Sequence, residues 1–202
     1  SQEAADLYRQ LAQANPAAYL PDLAMSLNNL GVMLSELGHR EEALAASQEA
    51  ADLYRQLAQA NPAAYLPDLA MSLNNLGSRL SELGHREEAL TPSQEAVTIR
   101  RQLAQANPAA HLPDLAMSLG AFAVARAKER SRLDDALAAA DEAAGIFKQL
   151  ARQLPQKYDP YAARTVRLVA EILDLLNRHS EATAIRSQLA AAREGGARTA
   201  NQ

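Results

Sequence analysis

The sequence predicts an all-α fold, a right-handed solenoid (superhelix) of antiparallel helix pairs, and three observations predict it. A unit of 46 residues recurs along the chain, its apolar residues recur at helical spacing, and no run of β-branched residues alternates as a strand would.

The repeat comes first. Ser1–Ala46 aligns without gaps to Ser47–Pro92, and only Val32/Ser78, Met33/Arg79, Ala45/Thr91 and Ala46/Pro92 differ. A third copy opens at Ser93 and keeps register through Leu119. Beyond it, "SLGAFAVARAKERSRLDDAL" carries one residue more than "SLNNLGVMLSELGHREEAL", and the likeness continues at an offset of 47, with Glu142 and Ala143 answering Glu95 and Ala96. Repeats of this length are stacked supersecondary units, and a worn last copy suits an end cap whose outer face meets no further neighbour.

Each unit reads as two helices. In the first, Leu23, Leu27, Leu30, Leu34 and Leu37 form one apolar stripe, Pro21 and Asp22 supply a first turn, and Gly38 supplies a stop. The second runs over residues 40–60, with Ala43, Ser47, Ala50, Tyr54 and Leu57 in line and Leu44, Ala51 and Ala58 beside them, a band wide enough to meet helices on both sides. "NPAAYLP" closes the unit, because each residue before a proline is pushed out of the α region and Asn61 can stop or cap a helix. The expected helix pairs cover 21–60, 67–106, 113–153 and 159–194, the last two degenerate. An orphan second helix over 1–14 precedes them within one solenoid over 1–194, and a flexible tail covers 195–202. Pro92 has no N–H for the carbonyl of Glu88, so the helix over 86–106 is expected to bend or start late. With no first helix before residues 1–14, Ala4, Leu7 and Leu11 are expected to be uncovered, which favours further repeats or end-to-end self-association. The text opens in the middle of a unit, as a piece of a longer protein would.

Composition narrows the function. The 202 residues are 48% apolar and 22% charged with mean hydropathy −0.26, ordinary for a folded soluble protein. There is no cysteine, hence no disulfide, no thiolate nucleophile and no sulfur-based zinc site. No apolar run approaches the ~20 residues of a membrane span and no signal segment opens the chain, so a cytoplasmic protein is expected. Residues 1–119 hold 7 Lys/Arg against 14 Asp/Glu, while residues 120–202 hold 13 against 10. Much of the acidity is expected in first helical turns, at Asp22, Asp68, Asp114, Glu41, Glu42, Glu87 and Glu88, where carboxylates oppose the helix dipole. Arg126, Lys128, Arg130 and Arg132 do not share one helical face and carry no interleaved aromatics, so nucleic acid is not an expected partner.

Signals of chemistry are missing. His39 and His85 are equivalent turn residues copied by duplication, while His111 and His179 stand alone. Adjacent Glu41 and Glu42 diverge by about 100° on a helix and cannot grip one atom. No nucleophile elbow, phosphate loop or dinucleotide fingerprint occurs. The expectation is a protein without catalytic residues, metal or cofactor.

Leu27, Leu30, Gly31 and Leu34, followed by Gly38, Ala43 and Ala50, resemble the tetratricopeptide repeat. The longer unit and its "PDLAMSLNNLG" are similar to the kinesin light chain type of that repeat, which also opens on Pro-Asp, carries Leu-Asn-Asn-Leu and prolongs its second helix. Gly31 and Gly77 mark places where a partner helix comes close, met by Ala43 and Ala50 from the other side. The third unit departs from the pattern, with Gly120 and Ala121 at the asparagine pair and Ala123 at the glycine.

The asparagines carry the expected site. On a wheel centred on the leucines, Asn28 and Asn29 flank the face turned from the core, together with Met25, Val32 and Glu36. The resemblance implies that first helices line a concave groove and that the second asparagine of each pair reads a ligand's main chain. A carboxamide offers donor and acceptor together, as a peptide backbone requires. These amides could equally bond a neighbouring helix or each other. The candidate peptide-binding set is Asn28, Asn29, Val32, Glu36, Asn74, Asn75, Ser78, Arg79 and Glu82, with neutral to basic ligands favoured near Glu36 and Glu82 and Arg79 as a local exception. A carboxylate clamp for acidic chaperone tails is not implied, because its lysine positions here hold asparagine and valine or serine. The reading is a non-catalytic protein-interaction scaffold. The alternative is a structural or regulatory arm of a larger signalling protein, since related bacterial repeats are often attached to nucleotide-switching ATPases or caspase-like effectors; such an arm packs on its own domains or on copies of itself.

Overall fold

The computed structural model describes residues 2–130 and 132–199, and among them every regular element is a helix. In chain order these are α1 (Gln2–Ala14), α2 (Pro16–Glu36), α3 (Arg40–Ala60), α4 (Pro62–Glu82), α5 (Arg86–Ala106), α6 (Pro108–Glu129), α7 (Leu133–Gln153), α8 (Pro155–Leu175) and α9 (His179–Thr199). Contacts divide the chain into one unit over residues 1–108 and another over 109–202.

The first helices begin earlier than the prolines at 21 and 67 suggested. Asn15 sits at φ −146°, the extended conformation imposed by Pro16, and its side chain accepts a hydrogen bond from the N–H of Ala18. Asn61 does the same for α4 while its own N–H closes α3 on the carbonyl of Leu57. One asparagine therefore ends one helix and starts the next. Pro21 and Pro67 then fall inside helices, each depriving the carbonyl four residues earlier, at Ala17 or Ala63, of its donor. Both alanines are exposed, so water takes the vacant carbonyl and the proline is tolerated. Asp22 and Asp68 accordingly lie in second turns, not first ones, and the dipole does not account for them.

The exits of α2 and α4 follow one rule. Gly38 and Gly84 adopt φ of +85° and +83°, and the N–H groups of His39 and His85 reach back to the carbonyls of Leu34 and Leu80, closing Schellman motifs. Leu37, counted in the apolar stripe, is the residue at this exit and is exposed. The delayed start expected for the helix containing Pro92 does not occur, because α5 begins at Arg86, matching Arg40 of α3, and spans the same 21 residues. The one-residue insertion after Leu119 is absorbed by α6, which has 22 residues against 21 in α2 and α4. Of the expected tail, residues 195–199 belong to α9 and residues 200–202 lie outside the described residues.

In the first unit the leucine stripe of α2 lies against α1 and α3, and that of α4 against α3 and α5. Leu27 and Leu73 are fully buried, as are Ala43, Ala50 and Ala51 of α3. The tightest contact is at the glycines. A Cβ on Gly31 would stand 2.6 Å from Ser47 Oγ and 3.2 Å from the Ala43 carbonyl, and one on Gly77 would stand 2.5 Å from Ser93 Oγ and 3.3 Å from the Ala89 carbonyl. Within the second unit, Phe147 of α7 meets Tyr158 and Tyr161 of α8, and α9 closes on α8 through Arg186 and His179, both paired with Asp174.

Two substitutions test this packing. Gly31→Val forces a branched side chain into the closest approach of α2 and α3 and is expected to cost about 1–3 kcal/mol in urea denaturation. Pro92→Ala restores the donor for the carbonyl of Glu88 at a position where α3 already buries Ala46, and is expected to add about 1–2 kcal/mol in the same measurement.

Candidate binding face on the first helices

Within the first unit, neighbouring first helices and neighbouring second helices are joined differently. First helices α2 and α4 touch directly through short side chains. Second helices are spanned by long ones: Arg9 of α1 makes a two-pronged pair with Glu49 of α3, at 3.1 Å from Nε and 2.6 Å from Nη2, and Arg55 repeats it on Glu95 of α5 at 3.3 and 2.8 Å. The hydrogen bonds to those carboxylates, more than any other cause, raise both arginine pKa values further. First helices thus lie on the inner side of this unit and second helices on the outer.

The two asparagines of the first pair have different surroundings. Asn29 is exposed, and its carboxamide has no partner among the described residues. Asn28 departs from its expected place on the outward face: it is 3% exposed and lies against α4, where its Oδ1 accepts from Ser72 Oγ at 3.0 Å and from Asn75 Nδ2 at 3.5 Å. A wheel drawn for one helix pair omits the next pair, and α4 covers the flank of Asn28 that the wheel leaves open. The Nδ2 of Asn28 is buried without a hydrogen bond to the protein. Asn74 and Asn75 are both half-buried.

The remaining candidates divide between the helices. On α2, Val32 and Glu36 are exposed, and no ion pair engages Glu36 among the described residues. On α4, Ser78 is exposed, whereas Arg79 is largely buried and pairs with Glu82 at 3.3 Å. Glu82 also accepts from Ser35 Oγ of α2 at 2.8 Å, so its charge is already answered within the protein. Sequence reasoning passed over Ser35 and Ser72, and it set Met25 on this face without including it in the candidate set. Met25 and Met71 are 49% and 42% exposed on this side, with exposed Met33 one turn beyond Asn29. The recurrence of Met25 as Met71 was a readable signal, since an apolar residue repeated off the leucine stripe has no core to serve.

Two groups of this unit titrate above their ordinary values. Burial, more than the nearby Asp68, Tyr65 and Asp22, pushes the Tyr54 hydroxyl up to about 12, where it stays protonated at neutral pH. Asp68 is likewise raised, chiefly by burial, with Arg100 opposing the shift. Among the described residues no group of three or more histidine, cysteine or acidic side chains could hold a metal, and no helix is long and apolar enough to cross a membrane.

A tetratricopeptide repeat model matches residues 23–62 and 69–109. Those two segments are tetratricopeptide repeats, with helices of 21 residues in a 46-residue unit. Solved structures share the fold. The aspartyl phosphate phosphatase F of Bacillus subtilis superposes with a TM-score of 0.63 at 16% identity over 87% of this chain, which spans only 41% of that one. MamA of Desulfovibrio magneticus RS-1 gives 0.59 at 15% identity, covering 95% of this chain and 96% of its own. A putative kinesin light chain of Podosopora anserina with nearly identical repeats gives 0.56 at 16%, covering 96% and 95%. None of the curated proteins matches the sequence.

The two asparagines separate by stability. Asn28→Ala strips Ser72 and Asn75 of a buried acceptor and is expected to cost about 1–3 kcal/mol, while Asn29→Ala at an exposed position should stay within about 0.5 kcal/mol, both by urea denaturation.

Proposed function

We propose that the inner face of α2 and α4 binds a peptide or protein segment, and that the chain is a non-catalytic interaction scaffold in a cytoplasmic setting. The observation that carries this reading is Asn29, an exposed carboxamide without a protein partner, set among the exposed side chains of Met25, Val32 and Met33. An amide of this kind holds a main chain whatever its side chains, and methionines adapt to varied apolar contacts. Asn28 supports the site from behind by bonding Asn75, while Asn74 and Asn75 flank the same face on α4. Val32, Ser78 and Arg79 are the positions that shape side-chain preference. The attraction for a basic group rests on Glu36, because Glu82 is matched by Arg79.

The ligand can be found by capture from lysate of the source organism, followed by calorimetry of the purified pair. Asn29→Ala combined with Asn75→Ala is expected to weaken binding about tenfold or more, at about 0.5–1.5 kcal/mol for each amide contact. Glu36→Lys should selectively weaken ligands that carry a basic residue. Unchanged affinity in a folded double variant would move the binding surface elsewhere.

A further inference from the structure

The helix dipole leaves the aspartates of the first helices without an account, and their surroundings supply one. Asp22, Asn29 and Glu36 follow one another at seven-residue intervals along α2, as Asp68, Asn75 and Glu82 do along α4. Each aspartate therefore shares the inner face with its asparagine, about 10 Å away along the helix. Both carboxylates are half-buried, and neither makes a hydrogen bond or an ion pair among the described residues. Charges drawn partly out of water without a matching cation are costly to the free protein.

A third polar group adjoins both. The Tyr54 side chain of α3 is only 3% exposed, and its hydroxyl has no hydrogen-bond partner among the described residues, yet it stands within reach of the charges on Asp68 and Asp22. One unit further on, the chain fills the same place with a cation. Arg100 occupies on α5 the position that Tyr54 occupies on α3, is 7% exposed, and pulls against the raised pKa of Asp68. Burial still prevails at Asp68, so its charge is only partly answered. Nothing among the described residues pairs with Asp22.

We propose that Asp22 and Asp68, with the Tyr54 hydroxyl as floor, form a cation pocket at the proline end of the inner face, and that its occupant is an arginine side chain of a bound segment. A guanidinium carries five N–H donors in a planar fork, enough for two carboxylates and a phenol oxygen together, and its weak hydration suits a half-buried seat. Arg100 is this chain's own example of a guanidinium beside Asp68. The pocket is distinct from Glu36, which lies about 20 Å away toward the other end of α2. It rests on the reading of the inner face as a binding surface only for the segment that carries the arginine; the arrangement of charges stands without it.

The probe is acetyl-Ala-Ala-Arg-Ala-Ala-amide, titrated into the full chain and followed by NMR at the side-chain carboxyl carbons, with citrulline in place of arginine as the neutral isostere. The arginine peptide is expected to shift the Asp22 and Asp68 signals to saturation, and the citrulline peptide is not. Asp22→Asn and Asp68→Asn should each weaken the arginine peptide about fivefold or more, and Tyr54→Phe about two- to threefold, while Glu36→Gln leaves these shifts unchanged. Both asparagine replacements keep the side chain's size and remove a half-buried charge, so the variants are expected to fold. Arginine and citrulline peptides that shift Asp22 and Asp68 alike, or not at all, overturn the proposal. So does a preference for arginine that survives loss of both aspartates or disappears with Glu36→Gln alone. Asn29→Ala with Asn75→Ala separates this pocket from the main-chain contacts: it should weaken both peptides and keep the preference for arginine. Unchanged affinity with that preference intact would refute the main-chain contacts and leave the cation pocket standing.

Discussion

The close approach of α2 to α3 at Gly31 is the constraint on which the first unit depends. With hydrogen in place of a side chain, the α2 backbone comes down on Ser47 and the Ala43 carbonyl, and Gly77 repeats the contact on Ser93 and Ala89. Once these points touch, the remaining register has little freedom. Leu27, one turn earlier on α2, falls into the space that the small Ala50 leaves on α3, and both are fully buried. The choice of alanine at 43, 50 and 51 has the same origin, since a larger residue at any of them would hold the helices apart and empty the leucine layer.

That contact also decides what each helix shows to its neighbours. Holding α2 close to α3 turns Asn28 toward α4, where a short amide meets a serine and a second amide. On the outer side the same stacking leaves a gap that only long side chains cross, and the arginine–glutamate pairs from α1 to α3 and α3 to α5 span it. These ion pairs are part-exposed and individually weak, so their contribution is orientation more than stability. Short links on one side and long links on the other give this unit an inner and an outer face.

The helix pairs were legible because their apolar spacing is written three times, and agreement between copies removes the ambiguity of any one of them. Their starts were not. Proline reads as a boundary, yet Pro21 stands inside α2, and what permits it is the exposure of Ala17, a tertiary fact absent from the local text. Asn28 failed for a related reason, since its environment comes from a helix 44 residues downstream of it in the chain, at Ser72. Arg9 and Glu49 lie 40 residues apart, as do Arg55 and Glu95, and such a pairing has no helical period to announce it. Gly31 succeeded because glycine amid leucines in a helix has few explanations other than close approach.

Near-identity of the first two units limits how the inner face could discriminate along its length. Of their four differences, Ala45/Thr91 and Ala46/Pro92 fall on second helices, leaving Val32/Ser78 and Met33/Arg79 to distinguish one first helix from the other. These two exchanges act in the same direction. On α2 they add apolar surface beside an unpaired Glu36; on α4 they replace it with a hydroxyl and an arginine that neutralises Glu82. A segment bound as proposed would therefore meet an apolar, anionic half and a polar, internally balanced half. With main chain held by the asparagines as proposed, that gradient would fix the direction in which the segment runs.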